Sequence, residues 1–264
     1  MKYQGVLKKM STENLETIQY YLDMGSDVLN MNQLLDKEVT LSFVRFECLN
    51  CGNNKEIYRQ GFCKSCFFKT PNAGDWIMRP ELSKAHLGIE DRDLAFEQKM
   101  QLKPHIVYLA FSSNVKVGVT RKNQVPTRWI DQGATKAVAI VEVPNRYLAG
   151  ITEVALKEHI SDKTNWRKML QSTNEQVDLN EVKKQLAKYI PDEVKKYYIK
   201  NDTKVTTLNF PILQNPEKVK SLNLVKNQCY SGKLKGIKGQ YFIFEDTTVF
   251  NVRANEGLVI ELIL

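Results

Sequence analysis

No apolar run in this 264-residue chain approaches the length of a membrane span, and it shows no long repeat or low-complexity tract. The opening MKYQGVLKKM lacks the apolar core of a secretion signal. The expected compartment is therefore a reducing one, the cytoplasm, with no membrane partner. Cysteine is scarce, five residues in all, and only Cys229 lies outside one tight group. A lone cysteine reads most simply as a small buried residue. His86 and His105 have no ligand spacing to other groups, so loop or surface positions are expected for them.

What is present is ordinary in bulk. With 42% hydrophobic and 26% charged residues the composition is that of a globular protein, long enough for two or three small domains. The formal net charge of +8 is unevenly spread. Residues 105–200 carry sixteen Lys/Arg against ten Asp/Glu, a pointer to an anionic partner in that segment.

Four cysteines stand as Cys48-x-x-Cys51, eleven residues, Cys63-x-x-Cys66. Each C-x-x-C pair sets two thiolates on one tight turn, and two such turns can close a tetrahedron around zinc. Gly52 follows the first pair, where a positive φ would turn backbone amides toward the sulfurs. Two disulfides or a redox C-x-x-C are the competing readings; a reducing compartment disfavours the first, and the second needs only one pair. Four protein ligands leave no open position, so the expected cofactor is one structural zinc. It would lower the net charge by two.

The stretch His105–Arg121 reads as a hairpin, with strands at about 105–111 and 115–120 around Ser112-Ser113-Asn114. In that register Tyr108 lies opposite Gly118. Val107, Leu109, Phe111, Val115, Val117 and Val119 share one wholly apolar face, while Tyr108, Lys116 and Gly118 share the other. A short helix should follow Pro126 and end at Gly133, carrying Arg128 and Asp131 one turn apart. Residues 137–143 read as a strand and 146–160 as a helix. Glu153 sits off that helix's apolar stripe, one turn after Ala149 and Gly150, on a surface expected to be low and approachable. His159, six residues on, turns about 240° away and is no partner for it.

V-Y-L-A, then K-V-G-V-T-R, an arginine ten residues after the glycine and a helical glutamate resemble the GIY-YIG endonuclease superfamily. The nearest likeness is to its branch reading K-I-G in the second motif. Taken whole, the chain also resembles an uncharacterised bacterial family, a domain of unknown function with a zinc segment. The likeness covers much of residues 104–170, PTRWIDQGA among them. The resemblance implies hydrolysis of a nucleic-acid phosphodiester, of DNA or RNA. It assigns Tyr108 to activating or orienting the attacking water and Gly118 to the second motif. Arg128 would neutralise the phosphoryl transition state, and Glu153 would hold a catalytic magnesium or manganese. Lys116 departs from the pattern, standing where the superfamily has a tyrosine: an ammonium can hold a phosphate but cannot share proton transfer as a phenol does. Arg121, Lys122 and Lys168 are further candidates for backbone contact.

Each residue also has a plainer reading. Tyr108 could be a half-buried strand tyrosine, Arg128 a partner of Asp131 or Glu153, and Glu153 a partner of Lys157 at i+4. Lys183, Lys184, Lys195, Lys196 and Lys200 read first as a solvated helix face. Trp129 and Trp166 read as core, with a base-stacking groove as the alternative.

The expected fold class is α+β, with a four-cysteine zinc-ribbon-like module, a GIY-YIG-like α/β domain and an accessory β-barrel or sheet from the two termini. The expected divisions are an N-terminal β segment at 1–45, the zinc module at 46–82 and a helical linker at 83–104. The GIY-YIG-like domain follows at 105–172, then a helical segment at 173–200 and a C-terminal β segment at 201–264 packing with 1–45. The expected function is a zinc-containing nucleic-acid-interacting protein, with metal-dependent cleavage as its sharpest form. The alternative is a non-catalytic nucleic-acid- or protein-binding module.

Overall fold

Period-two alternation sets the strands, and Asp93, Asn145, Asn165, Asp178 and Asn223 cap the N-termini of helices. A computed structural model describes residues 1–160, 165–171, 177–201 and 203–264. In chain order come β1 (Lys2–Val6), β2 (Ser11–Glu13), β3 (Gln19–Asp23), β4 (Val28–Asn30) and β5 (Glu38–Phe46). The cysteine segment follows with β6 (Ile57–Arg59), β7 (Phe62–Cys63) and α1 (Lys64–Phe67), then α2 (Asp75–Met78) and α3 (Leu94–Gln101). The central block is β8 (His105–Phe111), β9 (Val115–Arg121), α4 (Thr127–Asp131), β10 (Lys136–Val143) and α5 (Arg146–Lys157). After α6 (Trp166–Leu170) and α7 (Leu179–Leu186) come β11 (Thr206–Thr207), β12 (Lys220–Ser221) and α8 (Leu224–Asn227). The chain closes with β13 (Cys229–Lys238), β14 (Tyr241–Phe244), β15 (Thr248–Asn251) and β16 (Leu258–Ile263).

The two chain ends share one sheet. Its order is β1-β16-β5-β13-β14-β15-β12, an open seven-stranded sheet, so of the two forms expected for the termini the sheet is found and a closed barrel is not. Lys2 pairs with Ile263 and Val6 with Val259, and the terminal amine donates to the Leu264 carbonyl at 2.8 Å. Gly236 sits within β13 at a bulge, against Ile212, where a side chain would crowd the bridge between them.

The second sheet has the order β11-β10-β8-β9. The hairpin register is as the alternation implied, Phe111 opposite Val115 and Tyr108 opposite Gly118. Asn145 caps α5 by accepting from the Leu148 amide at 2.9 Å, and Gly133 ends α4 at φ +66°. Both faces of this sheet are covered. Val107, Leu109, Phe111 and Val117 form a core with Leu156 of α5 and Leu179 and Leu186 of α7. Ile106, Tyr108 and Ala110, on the other face, join a core with Phe242 and Phe250 of the terminal sheet. Hence the hairpin's tyrosine face is not open; the terminal strands lie over it.

Smaller expectations need correcting as well. His105 is fully buried in β8, its Nδ1 2.6 Å from the Lys103 carbonyl oxygen, and burial lowers its pKa to about 4. Lys183 is buried beside the Tyr198 ring rather than solvated. Cys229 is exposed and accepts from the Ser42 hydroxyl. Among the described residues no helix is long and apolar enough to cross a membrane.

Candidate functional site

The four cysteines converge. The Sγ atoms of Cys48, Cys51, Cys63 and Cys66 all lie within 4.8 Å of one another. A tetrahedron with metal–sulfur arms of about 2.3 Å has edges of about 3.8 Å, so the quartet is positioned to bind a metal ion, consistent with zinc. Gly52 has φ +68°, and its amide closes the first turn on the Cys48 carbonyl at 2.8 Å. The β6–β7 hairpin turns through Gln60 and Gly61, both at positive φ, and delivers Cys63 and Cys66 at the start of α1. Donors already face the sulfurs: the Cys63 amide to Cys48 Sγ at 3.3 Å, and Asn50 Nδ2 to Cys66 Sγ at 3.4 Å. The Ser65 hydroxyl, then the Cys66 amide, pull the Cys63 thiol down to about 6.

A second site lies where β9, α4 and α5 meet the terminal sheet. A cleft of about 590 Å³ is lined by Lys116 and Gly118 from β9, Arg128 from α4 and Glu153 from α5. Arg121 lines it as well. The sequence signal did not include the rest of its charge. Arg146 and Lys157 arrive from α5, and Lys9 and Arg253 from the two ends of the chain. That makes seven cations against two carboxylates, Asp131 and Glu153, an excess of five positive charges.

The wall is built in layers. Tyr108 is fully buried and does not line the cleft; its ring lies beneath Gly118, where an added Cβ would come 2.6 Å from the phenol oxygen. The phenol donates to Gln132 Oε1 at 2.8 Å and accepts from the Arg128 guanidinium, which it holds at the cleft edge. Burial raises the phenol's pKa to about 12. Trp129 packs edge-on against the same ring at 5.8 Å, in the core. Lys116 is 6% exposed, and burial, then neighbouring Arg128, bring its pKa down to about 8.

The surface around Glu153 is not low and open. The backbone of Pro80 and Glu81 lies directly on Gly150, leaving no room for a Cβ there. Arg146 fastens the same segment, donating to the Trp76 carbonyl at 3.0 Å and the Ile77 carbonyl at 2.7 Å. Ile77, Met78 and Pro80 thereby become a wall of the cleft. Glu153 is 8% exposed, and burial raises its pKa against the lowering effect of Lys157, whose Nζ lies 3.3 Å from Oε1. Asp131 is committed to Lys9 at 2.8 Å, Gln240 at 2.9 Å and Arg253 at 3.6 Å. Glu153, ion-paired with Lys157, is the less committed of the two and is the carboxylate that could hold a divalent cation. One carboxylate suffices for magnesium when phosphate oxygens and water complete the shell.

Two candidates fall elsewhere. Lys122 is exposed and pairs with Glu142 at 2.8 Å, and Lys168 is exposed on α6; neither lines the cleft. Lys9 and Arg253 had no signal in the sequence, because the folding of distant segments brings them in. Arg146 lies two turns before Glu153 on the same helix, and that spacing could have pointed to it.

Residues 36–260 match the model of a family described as a protein of unknown function (DUF2797), and the chain belongs to that family. No curated protein and no solved structure matches it.

Proposed function

We propose that this member of the DUF2797 family is a zinc-stapled nucleic-acid-binding protein that seats a backbone phosphate in the cationic cleft. One observation carries the reading: seven cations and two carboxylates converge on a single hollow, and both carboxylates already have cationic partners. Such a hollow favours an anion, and Lys116 and Arg128 supply a point charge beside a planar fork, a combination suited to phosphate. The metal of the cysteine module is zinc on this reading, and its role is to staple. The module leads directly into the segment that walls the cleft, and the Arg92 guanidinium ties its exit by donating to the Phe67 and Thr70 carbonyls at 2.7 and 2.8 Å.

A second reading, cleavage of the bound phosphodiester by a GIY-YIG-like domain at about 105–172, is favoured by a separate observation. Lys116, Gly118, Arg128 and Glu153 line the same cleft, and Tyr108 sits just behind Gly118. Magnesium or manganese held by Glu153 would supply Lewis-acid stabilisation of charge on the phosphate oxygens. Arg128 would neutralise the equatorial charge. With its phenol sealed behind the wall, Tyr108 orients Arg128 and Gln132 and does not itself meet water.

The test is a binding and nicking assay with DNA and RNA at low salt. Binding weakened by Arg128→Ala is expected. Magnesium- or manganese-dependent nicking that Glu153→Ala abolishes, with binding retained, selects cleavage. Binding without nicking across several substrates selects the non-catalytic module, and absence of binding at low salt defeats both. Metal analysis should give about one zinc per chain, lost in the Cys48→Ser, Cys51→Ser double variant.

A further inference from the structure

The cleft does not stop at Arg128. A second hollow of about 750 Å³ shares Met78, Lys116, Arg128 and Arg253 with it. It runs on to Gln60 and Phe62 of the cysteine module and to Trp166 and Tyr241. The Trp166 and Tyr241 rings are nearly parallel, 6° apart in plane with centroids 5.8 Å apart. The Arg167 guanidinium lies over the Trp166 ring at 4.4 Å. We infer that this extension is a base-stacking shelf and that the ligand is single-stranded nucleic acid, with its phosphate at Lys116 and Arg128 and a neighbouring base on the Trp166–Tyr241–Arg167 layer. The inference rests on the phosphate reading of the cleft.

The shelf is held in place. Asn165 caps α6 by accepting from the Arg167 and Lys168 amides, and Met169 and Leu170 are buried against Ile243 and Val249. The Tyr241 phenol hydrogen-bonds the Asn251 side chain. Both rings remain partly exposed and line the hollow. The carboxylates along the route are engaged: Asp131 as described, and Glu256 accepting from the Lys9 amide at 2.9 Å. Cations joined to flat aromatic surface suit a sugar–phosphate strand with exposed bases. A duplex keeps its base faces stacked inside, and hollows of this size bury ligands of drug size and not a double helix.

Fluorescence anisotropy with labelled strands of about 12 nucleotides tests this, using single-stranded DNA, single-stranded RNA and the corresponding duplex at about 50 mM salt. Single strands are expected to bind at least roughly tenfold tighter than duplex, and Trp166→Ala or Tyr241→Ala to weaken them roughly tenfold. Trp166→Phe should retain most of the affinity, and indole emission should change on binding in the wild type but not in Trp166→Phe. That spectroscopic readout decides the matter if the alanine variants fold poorly, as judged by zinc content and melting. Equal affinity for single strand and duplex, with no effect of Trp166→Ala and no indole response, would overturn the shelf while leaving the phosphate cleft standing. If no nucleic acid binds at all, the phosphate reading fails first.

Discussion

The cysteine module and the cleft lie next to each other but are held together differently. All four metal-ligating groups of the module fall between positions 48 and 66, on two turns that need only local glycines and a short hairpin to form. The cleft takes Lys9, Lys116, Arg128, Glu153 and Arg253 from segments that meet only when both sheets have packed. The first is a site that local turns assemble, with four thiols positioned to bind a metal ion. The second is a site that the finished fold creates, using buried groups such as Tyr108 to back its wall. They touch through the segment at 71–82, which leaves the module and becomes the cleft wall.

The largest expected effect breaks the two apart. Chelation, or the Cys48→Ser, Cys51→Ser variant, removes metal binding worth on the order of 10 kcal/mol in small zinc modules. Hydrogen exchange should then lose protection across residues 48–70 while β8, β9 and β16 keep theirs. Loss of protection throughout would mean that the module and the sheets are one folding unit.

Next in size is a lesion confined to the cleft wall. Gly118→Ala would press a methyl group onto the Tyr108 phenol, and overpacking of this kind costs about 1–3 kcal/mol, measured as a lowered denaturation midpoint. Zinc content should be unchanged. Tyr108→Phe in the same chain should recover part of the loss, because the nearest atom to the new methyl is the hydroxyl oxygen.

A smaller effect follows from Lys116. Burial, with Arg128 beside it, sets its pKa near about 8, so the free protein loses this ammonium as pH rises through that value. Anion binding should therefore weaken severalfold above about pH 8, and Lys116→Arg should flatten the profile because a guanidinium stays charged. Stability runs the other way. The folded state disfavours the protonated lysine, and the unfolded chain titrates near 10.4, so this group's contribution improves between about pH 8 and 10. Smallest of all, Lys122→Ala and Lys168→Ala should leave cleft binding within about twofold, as expected of exposed lysines outside it.

The convergence of the four cysteines was legible in the sequence because its information is local. So was the hairpin, since a period of two and a three-residue loop fix Tyr108 opposite Gly118 with no knowledge of the rest. Alternation could not say what covers the second face of that hairpin. The terminal sheet covers it, and Tyr108 is therefore a buried support and not an exposed group. Gly150 misled for a related reason: a missing side chain can mean open space or a backbone pressed close, and here it is Pro80 and Glu81. The cations at Lys9 and Arg253 were beyond reach, since β16 returning to β1 is what sets both ends of the chain beside Asp131.

The most direct measurement is the salt dependence of single-strand affinity in the wild type and in Arg128→Ala. The logarithm of the association constant should fall linearly with the logarithm of salt, with a slope of about −0.7 for each phosphate neutralised. Arg128→Ala should make that slope shallower by about one such contact while zinc content stays at one per chain. A wild type that does not bind at low salt, or an identical slope in the variant, would contradict a phosphate seat in this cleft.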